Sequence, residues 1–230
     1  MKRHDMAKKL SLVAAMVLAL GAALWLGQAR TPEMTALGPL AASAQEATAP
    51  ADAPKTVPLA EVPDMVLGDA TAPVTLMEYA SYTCPHCAQF HDTVFKDLKK
   101  DYIDTGKVKF VFREVYFDRP GLWAAMLARC GGETRYFGIS SMLFDQQKEW
   151  AASDDATVVV ENLKKIGRTA GMDDATIQAC LENAPMAEAM VARFQETTAE
   201  DKVEGTPTLI INGEHHSNMS YDDLKAILDA

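Results

Sequence analysis

Residues 74–98 constrain this 230-residue chain more than any other stretch. Val74-Thr75-Leu76-Met77-Glu78-Tyr79-Ala80 is β-branched and aromatic, as a buried strand is, and Phe90, Val94, Phe95 and Leu98 recur at helical spacing. Between the two lies Cys84-Pro85-His86-Cys87. Proline suits the first turn of a helix, where its missing N–H goes unused. The spacing therefore predicts a strand running into a helix whose N-terminus carries Cys84. Unpaired backbone N–H groups and the helix dipole favour a thiolate there over a thiol. Such a thiolate is both the nucleophile and the leaving group of thiol–disulfide exchange. The motif points to redox chemistry.

Zinc is the competing use of a Cys-x2-Cys pair, and His86 and His91 lie close enough to raise it. A structural zinc site needs a second ligand pair. Cys130 and Cys180 are isolated from each other, and His215 and His216 are adjacent, a poor spacing for chelation. The chain is accordingly read without a metal and without a cofactor, the cysteines themselves being the redox group.

A second segment lies far downstream. Gly205-Thr206-Pro207-Thr208-Leu209-Ile210-Ile211-Asn212-Gly213 reads as a turn, a proline, a short buried strand and another turn. A proline opening a strand can simply mark its edge, and X–Pro bonds are mostly trans. Taken alone, the segment predicts no cis bond.

Taken together, Glu78-Tyr79-Ala80-Ser81-Tyr82-Thr83-Cys84-Pro85-His86-Cys87 and the later Thr206-Pro207 resemble a DsbA-family thiol:disulfide oxidoreductase, over roughly residues 66–230. The resemblance implies an α/β architecture, a thioredoxin fold interrupted by an inserted helical domain. It implies that Pro207 is cis and packs against the Cys84–Cys87 pair. It makes Cys84 the exposed nucleophile, Cys87 the buried resolving cysteine, and Pro85-His86 the intervening dipeptide, with His86 helping to stabilise the Cys84 thiolate. Glu78 falls where the family carries a buried acid beneath the disulfide. A carboxyl in an apolar strand is costly unless paired or protonated, which suits a proton acceptor for Cys87. The plainer alternative places Glu78 in solvent at the strand's edge.

Thr206 departs from the commonest pattern, because the best-known oxidases of the family carry valine before the cis-proline. Threonine there resembles the related isomerases and some other branches, and its hydroxyl is expected near the sulfurs. The isomerases' separate dimerisation domain has no counterpart here. The expected function is therefore an oxidase that donates the Cys84–Cys87 disulfide to reduced exported proteins and is reoxidised by a DsbB-like membrane oxidant. A disulfide isomerase or reductase is the alternative, and a non-enzymatic metal-binding or structural CxxC domain a remote one.

The N-terminus bears on where such chemistry happens. Lys2, Arg3, Lys8 and Lys9 precede an uncharged apolar run from Leu10 to Gly27. That is the layout of an export signal, and the run is also just long enough for a membrane anchor. Residues 1–30 take that role in either case. Positive flanks stay inside, so the downstream domain is expected in the periplasm, soluble after cleavage or tethered to the inner membrane. Residues 31–65 are rich in Ala, Pro and Thr and are read as a flexible tether. Residues 66–230 make one domain by length. The net charge is −10, and residues 1–30 hold five basic side chains and one acidic, leaving −14 on the rest. So acidic a body argues against nucleic acid as a partner.

The remaining layout follows from periodicity and punctuation. A helix is expected from Pro85 to about Asp104, closed by Gly106, then a strand over Lys107–Glu114 in a right-handed parallel crossover. A helical insertion is expected at about 119–190. Leu209–Ile211 should pair with Glu214–Ser217 through Asn212-Gly213, and Ser220 should cap a last helix over Tyr221–Leu228. Cys130 and Cys180 fall in helices of the insertion. Two buried thiols would be the plain reading, and an even cysteine count in an exported chain makes a bond at least an equal alternative. Resemblance to alphaproteobacterial members with a second cysteine pair implies the same structural bridge. The aromatics near the site are read mostly as core, with the substrate surface open to Tyr82 as an alternative, and Trp123 and Trp150 are expected to pack the insertion. His215 and His216 are expected as one exposed and one half-buried residue, outside the site.

Overall fold

The computed structural model describes residues 62–230, all of them within one compact unit. The expected export segment, and the tether up to residue 61, lie outside the described residues. Among the described residues no helix is long and apolar enough to cross a membrane.

Strand β2 (Val74–Ala80) has neighbours on both edges, and its β-branched and aromatic residues fit such a central position. The sheet has five strands in the order β1-β3-β2-β4-β5. Strand β3 (Val108–Glu114) lies parallel to β2 with Phe112 opposite Glu78. Strand β4 (Thr208–Ile211) lies antiparallel on the other side, with Leu209 opposite Glu78. The long-range partner of β2 thus arrives from the far end of the chain. Strand β1 (Met65–Leu67) pairs antiparallel with β3. At three residues it is too short to leave a period-2 pattern, and the sequence analysis did not anticipate it. Val62 and Met65 are buried, so the last residues assigned to the tether already belong to the core.

The crossover from β2 to β3 is a continuous helical run, α1, over residues 85–103. It is α-helical over Pro85–Phe90 and Lys96–Leu98 and opens into wider π-helical turns over His91–Phe95 and Lys99–Ile103. A π turn rotates the side-chain face by an extra residue, a device that often re-aims a functional group. Gly106, at φ +73°, closes the run: its N–H donates to the Ile103 carbonyl, and the Lys107 N–H donates to that of Tyr102. This double bond pattern satisfies the last orphan carbonyls and needs a left-handed residue at the turn.

Between β3 and β4 stand six helices: α2 (Arg119–Cys130), α3 (Glu133–Asp145), α4 (Gln147–Trp150), α5 (Ala156–Thr169), α6 (Asp174–Leu181) and α7 (Ala184–Glu200). The sequence placed the end of this insertion near residue 190. No glycine or proline interrupts residues 190–200, and the helix runs on until Lys202 takes φ +50°. Asp118, Asp155, Asp173 and Asn183 cap α2, α5, α6 and α7 with their side-chain oxygens. Sheet and insertion share one hydrophobic core. At its centre Tyr82, Phe112 and Phe144 pack with ring centroids 4.9–6.2 Å apart. Burying one such ring contributes about 1.5–3 kcal/mol.

The hairpin from β4 to β5 (Glu214–Ser217) turns through Asn212 and Gly213, both at positive φ, and Ser220 caps α8 (Tyr221–Leu228). Arg113 of β3 binds Asp64 through Nε and Nη2, and Asp201 and the Tyr79 hydroxyl through Nη1. This node joins the first described residues, two central strands and the end of α7. Cys130, at the end of α2, is bonded to Cys180 of α6, with the Cα atoms 6.2 Å apart.

Candidate active site

Where β2 ends, the chain makes a tight turn before α1, and the Cys84 N–H donates to the Ser81 carbonyl at 3.1 Å. Cys84 is the N-cap residue of α1, in extended conformation at φ −79° and ψ 118°, and Pro85 takes the first helical position. An N-cap side chain lies over the free N–H groups of the first turn. Cys84 is half-buried and Cys87 buried, and neither is in a disulfide.

Their environments separate them. The Cys84 thiol is pulled down to about 5, chiefly by a hydrogen bond from the Cys87 thiol. Partial burial opposes this, while the Thr206 hydroxyl and the backbone N–H groups of Cys87 and His86 assist it. Cys87 is pushed well up, first by burial, then by its hydrogen bond to Cys84 and the negative charge of Glu78. One sulfur therefore carries the charge and the other keeps the proton.

Glu78 is fully buried, so it does not face solvent at the strand's edge. Its Oε2 lies 2.9 Å from Nε2 of His91, and its Oε1 has no hydrogen-bond partner. His91, also buried, opens the first π turn of α1 and stacks on Phe144 of α3 with ring centroids 4.0 Å apart. The sequence analysis weighed His91 only as a metal ligand and missed this pairing. Its spacing four residues after Cys87, among Phe90, Val94 and Phe95 on the inward face, was the available signal.

The Thr206–Pro207 peptide bond is cis. The Cys84 sulfur lies 3.6 Å from the Thr206 carbonyl oxygen, which accepts its proton in a hydrogen bond when Cys84 is a thiol. The Thr206 hydroxyl is buried without a conventional partner, and it acts on both sulfurs instead. The His86 imidazole is exposed and lines an open cleft of about 660 Å³ together with Lys202, Glu204, Thr206, Pro207 and His215. Its help to the Cys84 thiolate comes through its backbone N–H. A second cleft, of about 620 Å³, opens beside Pro85 between α1 and the insertion. His86 lines both clefts.

Tyr82 does not reach the surface. It is buried between Phe112 and Phe144, and its hydroxyl lies 3.2 Å from that of Tyr136. Tyr136 in turn donates to Glu114, which receives a bidentate pair of bonds from Arg129. The insertion covers Tyr82 through Phe144 and Tyr136. Trp150 is buried within the insertion, with its indole N–H on the Leu143 carbonyl, and Trp123 is half-buried. His215 is exposed and His216 half-buried. Another residue absent from the sequence reading is Gln147, whose side-chain amide reaches the backbone at Tyr82 and Cys84.

A profile of the thioredoxin family matches residues 60–230. The chain is 37% identical over 167 residues to a Rickettsia conorii protein named as a protein-disulfide oxidoreductase. That match takes in 72% of this chain and 59% of the relative, so the chain spans about three fifths of the length of the Rickettsia protein. It is 28% identical to disulfide bond formation protein D of Bacillus subtilis, over 71% of this chain and 75% of that one. Among solved structures it resembles alpha-DsbA1 of Wolbachia pipientis at 27% identity and a TM-score of 0.68, covering 72% of this chain and 89% of that one. BdbD of Bacillus subtilis matches at 25% identity and 0.64, over 72% and 91%.

Proposed function

We propose, for a chain that belongs to the thioredoxin family in its DsbA-like branch, that it acts as an exported thiol:disulfide oxidase. The observation that carries this proposal is the asymmetry of the pair, a half-buried Cys84 held as thiolate beside a buried Cys87 held as thiol. A stabilised thiolate favours the reduced form, so the disulfide gives up its place readily to a substrate thiol. The names of the Rickettsia and Bacillus relatives support the same chemistry.

The reaction balances on the two cysteines. A substrate thiolate attacks Sγ of Cys84 in the Cys84–Cys87 disulfide, the S–S bond breaks, and Cys87 leaves and takes a proton. The substrate's second thiolate then attacks its own sulfur in the mixed disulfide and releases Cys84 as thiolate. Two electrons pass from substrate to enzyme. Glu78, buried and close enough to act on Cys87, exchanges the Cys87 proton, and Pro207 and Thr206 frame the nucleophile from the other side. A DsbB-like membrane oxidant takes the two electrons away. In this proposal residues 1–30 serve as export signal or membrane anchor, residues 31–61 as tether, and the Cys130–Cys180 bridge as a structural brace within the insertion.

The test is the equilibrium of Cys84–Cys87 against glutathione. An oxidase gives a potential well above that of the glutathione pool. A potential near or below −270 mV, the thioredoxin range, would replace the proposal with a reductase. An isomerase, which Thr206 favours, would refold a scrambled disulfide substrate when kept reduced, whereas an oxidase would not.

A further inference from the structure

In the turn that presents Cys84, the carbonyls of Tyr82 and Cys84 are both held by one side chain of the insertion. Gln147, the first residue of the short helix α4, is buried at 7% exposure. Its Nε2 donates to the Tyr82 carbonyl at 2.8 Å and to the Cys84 carbonyl at 2.9 Å. A primary amide has two N–H donors, and both are spent on the carbonyls flanking Thr83-Cys84. The Cys84 carbonyl also accepts the Ala88 N–H at 3.2 Å, the first bond of α1. Gln147 therefore grips the same peptide group from which the helix starts.

That grip has a chemical consequence. The N–H groups of His86 and Cys87 help lower the Cys84 thiol only while the first helical turn faces the sulfur. The Cys84 carbonyl orientation sets the ψ angle of Cys84 and hence the direction of that turn relative to Sγ. Gln147 itself stands on a rigid platform, since Trp150 of the same helix is buried with its indole N–H on the Leu143 carbonyl at 2.7 Å. A buried glutamine that merely satisfied two carbonyls would affect stability alone.

We propose that Gln147 is a positioning residue: from the helical insertion it fixes the Tyr82 and Cys84 carbonyls and so sets how strongly the N-terminus of α1 stabilises the Cys84 thiolate. The proposal rests on the oxidase reading and adds the insertion as a determinant of its redox balance.

Gln147→Met keeps the length and removes both donors. The full chain carrying it should show a Cys84 thiolate absorbance titrating at higher pH, and its glutathione equilibrium should move about threefold or more toward the oxidised protein. Gln147→Asn, one methylene short of the carbonyls, gives the same readout if the methionine variant does not fold. Replacing Cys130 and Cys180 by alanine controls for lost stability alone: it loosens the insertion away from Gln147 and should leave the Cys84 titration in place. A low Cys84 pKa in the parent that neither Gln147 variant moves would overturn the role of Gln147 and spare the oxidase reading. So would a shift in the Cys130, Cys180 double-alanine variant as large as that of Gln147→Met. An ordinary parent pKa, near 8.5, would instead remove the oxidase reading itself.

Discussion

The Glu78 carboxylate and the His91 imidazole meet 2.9 Å apart in the interior, between β2 and the first π turn of α1. One carboxylate oxygen is held by the ring and the other is unpartnered. A buried carboxyl with a free oxygen is costly, and its negative charge is one of the causes that push the Cys87 thiol up.

Glu78→Gln should keep a hydrogen bond to His91 and the packing around it while removing the basic oxygen. Stopped-flow resolution of a Cys84 mixed disulfide by Cys87 should slow by about tenfold or more at neutral pH, because positioned acid–base groups typically supply 10²–10⁴. Thermal stability should change little. Glu78→Leu, by contrast, leaves His91 buried without a partner and should cost about 1–3 kcal/mol. Equal resolution rates in Glu78→Gln and the parent would remove Glu78 from proton transfer.

The Cys84 thiol near 5 fixes a pH dependence. A depressed native pKa contributes stability to the reduced protein that is complete above the ordinary thiol pKa and lost as pH falls through about 5. Between pH 6 and 8 the reduced pair holds one proton while two glutathione thiols hold two. Oxidation of the pair by oxidised glutathione then consumes one proton, so its equilibrium constant should fall about tenfold per pH unit. The slope should vanish below pH 5. A flat profile between 6 and 8 would place the Cys84 titration elsewhere.

Thr206→Val tests the buried hydroxyl. Removing it deletes a group that favours both thiolates and that has no conventional partner to lose. The Cys84 titration should move up and the disulfide become less oxidising, while stability stays the same or rises slightly. Thiolate absorbance against pH and a thermal melt report the two effects separately.

Cys130 and Cys180 close a loop of 50 residues between α2 and α6. Alkylation of the fully oxidised protein should therefore find no free thiol. Replacing both by alanine should lower stability by roughly 2–4 kcal/mol. The Cys84 titration should stay in place, since neither residue touches the Cys84–Cys87 site.

The architecture was legible where residue type and spacing act locally. The strand Val74–Ala80, the N-terminal placement of Cys84, the Gly106 stop and the Asn212-Gly213 hairpin each follow from short-range backbone preference. Residues whose role depends on a distant partner were harder. His91 is one imidazole on an apolar helix face, and only the fold brings Glu78 beneath it. Gln147 opens a four-residue helix with no periodicity of its own. Tyr82 follows the last β2 residue by two, and nothing local says that Phe144, 62 positions on, will cover it. Val62 and Met65 fell to the tether because Ala and Pro dominate the preceding stretch, although two apolar side chains suffice to join an existing core.

The Cys84–Thr206 contact joins residues 122 positions apart in the chain. Synthesis runs from the N-terminus, so Cys84 emerges long before β4 can take its place beside β2. During that interval the Cys84-Pro85-His86-Cys87 segment lacks the threonine hydroxyl and the closing strand. Its thiols are then closer to those of an ordinary dithiol peptide. The separation of the two thiols, one pulled down and the other pushed up, belongs to the finished domain.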